Sequence, residues 1–169
     1  HHCYKVELEN VRAENEICST KYPLIMVHGI GFRDYKYINY WGRIPKVLKK
    51  NGAKVYYGHQ EAWGTIEDNA NDIKEKIFEV LKENHCDKVN IIAHSKGGLD
   101  TRYMIGKLNM GEYVASLTTI STPHKGSELL DILCKLPDSV YRKVSTAIDN
   151  VFKKVGDKNP NCYVSSHQL

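Results

Sequence analysis

Four short apolar runs, separated by stretches of helical spacing, constrain this chain more than any other feature. Leu24, Ile25, Met26 and Val27 stand together without a polar residue, between Pro23 and Gly29. A strand buried on both faces reads this way. Residues 53–57, 89–93 and 115–120 read as three further strands. Between the first two, Tyr40, Ile44, Val47 and Leu48 share one face of a helix that ends near Asn51. Gly52 stands where a helix C-terminus favours glycine, and Pro45 leaves the helix start open, since proline fits only the first turn without a kink. Ile66, Ala70, Ile73, Ile77 and Leu81 form the stripe of a second helix, with Thr65 as its N-cap and Asp68 completing a weak capping box. A third helix is expected from Gly97 to about Lys107. Strands alternating with helices predict an α/β fold, a mainly parallel sheet with helices on both faces.

After Pro123 the pattern changes. Residues 129–155 show helical spacing only, broken by Pro137. The expected organisation is an N-terminal extension over 1–21, with one weak strand candidate at 4–8, then an α/β core over 22–127 and a helical segment over 128–169. A length of 169 residues suits one domain. Composition excludes other classes. The net charge of +4 comes from scattered Lys and Arg rather than a basic stripe, so no nucleic-acid partner is expected. No apolar run reaches the roughly 18 residues of a membrane span. The five cysteines, Cys3, Cys18, Cys86, Cys134 and Cys162, lack C-x-x-C spacing and are read as free thiols, with a disulfide left open.

The chemistry concentrates in Ala93-His94-Ser95-Lys96-Gly97-Gly98, which follows an apolar strand and opens a helix. That context makes a nucleophile elbow. A tight strand-to-helix turn holds its serine in a strained backbone conformation, and the small Ala93 and Gly97 avoid collision around it. The helix N-terminus points its N–H groups at the reaction centre. A serine nucleophile also needs a base and an oxyanion hole. The N–H of Lys96, next after Ser95, is one expected donor. The N–H of Ile30, within His28-Gly29-Ile30-Gly31 after the first strand, is the other.

These blocks resemble bacterial triacylglycerol lipases. The resemblance rests on residues 22–29, 51–56, 88–103 and 117–127, in order and with family-like spacing. It implies the α/β-hydrolase fold, ester hydrolysis through an acyl-enzyme on Ser95, and Ile30 and Lys96 as oxyanion donors. An esterase or acyltransferase of the same fold is the alternative, as is a non-catalytic binding module. Two positions depart from the common pattern, Ala93 for Gly and Lys96 for Gln, and a lysine at 96 is expected to alter the rim of the site. The resemblance further implies a lipid or ester substrate, no cofactor, calcium only near a triad acid outside this chain, and a secreted home. In this fold the triad order is Ser, then Asp or Glu, then His. Residues 96–169 hold one clear strand, so the chain is expected to be truncated at its C-terminus and not to turn over alone; a triad using His167 is the other reading.

Other polar residues are expected to be structural. His28 is read as shaping its loop, and His94 and His124 as structural. His59, Glu61, Asp68, Asp72 and His85 lack metal-ligand spacing and are read as a solvated face. Val140, Val144, Ile148, Val151 and Val155 form an apolar stripe. It suits either a core helix or, as the resemblance implies, a lid that meets lipid.

Overall fold

The computed structural model describes residues 13–31, 40–127, 135–154 and 156–169. The strand expected at 4–8 lies outside them. Four strands, β1 (Leu24–Val27), β2 (Val55–Tyr57), β3 (Val89–His94) and β4 (Val114–Ile120), form one sheet in the order β2-β1-β3-β4. Every pair is parallel, with Ile25 beside both Tyr56 and Ile91, and Ala93 beside Thr119. Each strand lies within two residues of the run that predicted it.

Alternation along β1 sorts the core into two layers. Ile25 and Val27 face Ile73, Ile77 and Val80 of α2 (Ile66–Asn84) and Met104 of α3 (Lys96–Lys107). Leu24 and Met26 face the other way, in a cluster with Trp41, Tyr57 of β2 and Leu48 of α1 (Ile44–Lys50). Helices therefore cover both faces, which explains the unbroken apolar run.

Local signals set the helix ends. Pro45 falls in the first turn of α1. Thr65 Oγ1 accepts the Asp68 N–H at 3.1 Å and caps α2. The return half of the capping box is altered, because the short Asp68 carboxylate takes the Thr65 hydroxyl at 2.8 Å rather than its backbone N–H. Pro137 precedes α4 (Asp138–Lys154), which packs on α5 (Cys162–His167). Of the helical spacing read over 129–155, residues 129–134 and 155 lie outside the described residues.

The packing of α4 goes against the core-helix reading of its stripe. Tyr141 and Ser145 are buried, whereas Val140, Val144 and Val151 are about half exposed, at 47%, 50% and 57%. The cause is polar pairing with α5: the Tyr141 hydroxyl meets Ser166 Oγ, and Asp149 accepts the Cys162 N–H at 2.7 Å. Cys162 is buried, Cys18 and Cys86 are half-buried, and all three are free thiols.

Candidate active site

Ser95 joins β3 to α3 with φ 53 and ψ −129. A side-chain-bearing residue there is strained and must be held by its surroundings. Its N–H donates to the Ile120 carbonyl at 2.9 Å, and its own carbonyl accepts the Gly98 N–H at 3.0 Å. Ala93 is wholly buried in the core beneath it.

Gly97 is needed for a reason beyond the expected one. A Cβ there would lie 2.3 Å from the His28 carbonyl and 2.9 Å from Val27 Cγ1. The nearest obstacles belong to the end of β1 and the residue after it. Gly29 is the counterpart: a Cβ on it would lie 2.8 Å from both Ser95 Cβ and the Tyr40 hydroxyl. The two glycines thus allow the turn after β1, which carries Ile30, to pack against the elbow, which carries Ser95 and Lys96.

The loop from β2 to α2 locks this packing. His28 is buried, with Nε2 3.0 Å from the Gln60 carbonyl and Nδ1 2.8 Å from the Gly29 carbonyl. The Gln60 side-chain amide returns a bond to the His28 carbonyl at 2.8 Å. The Gly31 N–H donates to Ala62 O at 2.9 Å. His28 therefore acts on loop shape. His94 meets the Tyr40 hydroxyl through Nδ1 and lies edge-on to the Tyr40 and Trp41 rings. His124 is held by Arg102, which donates to Nδ1 at 2.9 Å, and by Thr119 Oγ1, 3.1 Å from Nε2.

Lys96 overturns one expectation. Its side chain is not at a rim. It is 1% exposed, and its Nζ lies 2.7 Å from Asp100 Oδ1, itself 1% exposed. A lysine at this position can turn inward because Asp100 lies one helical turn away and supplies the countercharge. Breaking such a buried pair by removing one partner costs about 3–5 kcal/mol. Asp100 Oδ2 also accepts from Asn69 Nδ2 at 3.0 Å. Burial pushes the Asp100 carboxyl up to about 6, against the downward pull of Lys96 and Asn69. The sequence reading missed Asp100, Asn69, Gln60 and Tyr40. Only the i, i+4 spacing of Lys96 and Asp100 was available as a signal, and on a surface helix it would mean little.

The polar residues set aside as non-ligands have local work. Glu61 accepts the Lys158 and Asn159 N–H groups, His85 ends α2 at φ 50, and the His59 ring stands against Tyr57. Burial first, then Glu61, pushes Asp72 up to about 6. Among the described residues no three His, Cys, Asp or Glu side chains converge to hold a metal ion. The late acids are also engaged: Asp138 with Arg142 and Tyr163, Asp149 with the Cys162 N–H, and Asp157 with the Trp63 N–H. His167 bonds the Tyr163 carbonyl through Nδ1 at 2.6 Å and stacks on the Tyr163 ring.

A parallel sheet covered by helices, with a strained serine between β3 and α3, defines an α/β-hydrolase. The family model for palmitoyl protein thioesterase matches residues 23–164, and the chain belongs to that family. Among curated relatives, it is 36% identical over 150 residues to a triacylglycerol lipase of Burkholderia plantarii, covering 83% of this chain and 41% of that protein. It is 41% identical over 113 residues to triacylglycerol lipase 2 of Saccharomyces cerevisiae, covering 61% of this chain and 35% of that protein. The chain thus spans less than half the length of these relatives. The fold is similar to the mature Bacillus licheniformis lipase BlEst2, at TM-score 0.62 and 22% identity, covering 85% of this chain and 62% of that one.

Proposed function

We propose that this chain carries the nucleophile of a serine carboxylic ester hydrolase, of triacylglycerol lipase type. The observation that carries the reading is the backbone of Ser95, at φ 53 and ψ −129 on the turn into α3. Strain of this kind is kept where the surroundings over-determine it, and it marks functional positions. Ser95 Oγ attacks the ester carbonyl carbon and the alcohol leaves, giving an acyl-enzyme that water then hydrolyses. The N–H groups of Ile30 and Lys96 hold the developing oxyanion, each donor contributing about 3 kcal/mol. Ala93, His94 and Gly97 shape the turn. No cofactor enters this scheme. The substrate is a lipid or other fatty ester, supported by the names of the curated relatives.

A second reading, thioester hydrolysis, is favoured by the matching family model. It uses the same acyl-enzyme and differs only in the leaving group. The test compares the whole protein and its Ser95→Ala variant on matched acyl esters and acyl thioesters, together with fluorophosphonate labelling. The expected result is ester turnover and labelling of Ser95, both lost in the variant by at least a thousandfold. Activity kept within about tenfold by Ser95→Ala would overturn the assignment. A strong preference for the thioester would select the second reading.

A further inference from the structure

Three consecutive residues of the β2–α2 loop reach both halves of the site. Gln60 bonds His28 through its carbonyl and its side-chain amide. Ala62 O accepts the Gly31 N–H. Between them, the Asn69 side-chain amide grips the backbone of Glu61, accepting its N–H at 3.2 Å and donating to its carbonyl at 3.1 Å. The same Asn69 Nδ2 donates to Asp100, which holds Lys96. A continuous line of buried polar contacts therefore runs from the elbow to this loop and on to the turn that carries Ile30. Asn69 and Asp100 are each 1% exposed, so little solvent is available to replace a lost contact.

The Glu61 carboxylate leaves this line and points to the far end of the chain. Its two oxygens accept the N–H groups of Lys158 and Asn159, at 2.5 and 2.9 Å. Beside it the Asn161 N–H donates to the Trp63 carbonyl at 2.8 Å, and Asp157 accepts the Trp63 N–H. A carboxylate is needed for this grip, since it presents an acceptor to each of two adjacent donors.

We propose that Glu61 is a positioning residue: by seating residues 157–161 on the β2–α2 loop, it sets the register of the Ile30-bearing turn against the Ser95 elbow. Seating of the C-terminal segment and alignment of the oxyanion donors are then one event. This rests on the reading of Ser95, Ile30 and Lys96 given above. Lys96 and Asp100 are poor places to probe it, because either change strands a buried charge. Glu61→Gln keeps the shape but faces one of the two N–H groups with an amide NH₂. Lys158→Pro removes one donor at an exposed residue, leaves Glu61 intact, and serves if Glu61→Gln does not fold.

The experiment measures kcat and KM on a soluble short-chain ester, the rate of fluorophosphonate labelling of Ser95, and amide hydrogen exchange in the whole protein. Both variants are expected to lower kcat and labelling at least fivefold with KM changed less than twofold. Exchange at Gly31 is expected to rise together with exchange at Asn159. Faster exchange at Asn159 with Gly31 exchange and kcat unchanged would overturn the proposal and leave Glu61 as a tether for the segment. Should the unaltered protein neither label nor hydrolyse, the hydrolase reading falls, while exchange at Gly31 still decides whether Glu61 sets that turn.

Discussion

At the scale of the residue, the site is made by close approach. Gly97 and Gly29 let two loops touch, and the strain at Ser95 is held by its bond to Ile120 at the end of β4. The obstacle at Gly97 is a backbone carbonyl, which cannot swing aside as a flexible side chain can. Gly97→Ala is therefore expected to destabilise the fold by about 2–3 kcal/mol and to slow labelling of Ser95 by an order of magnitude or more. Thermal melting and fluorophosphonate kinetics measure the two effects. A melting temperature unchanged within a degree would show that the turn after β1 can shift freely.

At the scale of the element, α4 leaves aliphatic side chains at the surface, as α1 does with Ile44 and Val47. It turns Tyr141, Ser145 and Asp149 toward α5 and leaves Val140, Val144 and Val151 at the surface. We propose that this valine face meets the lipid surface when substrate is presented as an aggregate. Val151 is 57% exposed, so Val151→Asp should change stability by no more than about 0.5 kcal/mol. Hydrolysis of an emulsified long-chain ester should fall at least threefold, whereas hydrolysis of a soluble short-chain ester should not. Equal effects on the two substrates would assign the face another role.

For the whole molecule, the docking of residues 157–161 brings Lys158 to a group of carboxylates on α2 and the β2–α2 loop. Asp72, pushed up to about 6 by burial and by Glu61, lies in this region, with Lys158 drawing it down. Its folded value exceeds the ordinary 3.8, so ionisation is harder in the folded state than in the unfolded chain. The fold then loses stability as pH rises from about 4 to about 6, and carries a constant penalty above that. Partial exposure screens the effect to about 1 kcal/mol. Asp72→Asn should raise the melting temperature at pH 7–8 by about 2–4 °C and leave it unchanged below pH 4. A gain of the same size at pH 3.5 would show that the carboxylate charge is not its source.

The sequence by itself determined the order of strands and helices, the parallel sheet and the position of the elbow. These rest on local signals: an apolar run such as Leu24–Val27 demands two covered faces, and Ala93 and Gly97 around Ser95 mark a turn wherever the chain ends. The family was legible for the same reason, since its blocks lie in contiguous stretches. Tertiary structure alone decided which surfaces meet. Lys96 reads as a surface lysine until Asp100 and Asn69 close around it. The close approach of the His28 carbonyl to Gly97 is visible only once β1 lies beside the elbow. The valines of α4 suit a core stripe or an exposed face equally until α5 takes the neighbouring face. Glu61 reads as one more acid until residues 158 and 159, nearly a hundred positions later, place two N–H groups against it. Periodicity is written in neighbouring residues, whereas burial and pairing depend on partners that only the folded chain brings together.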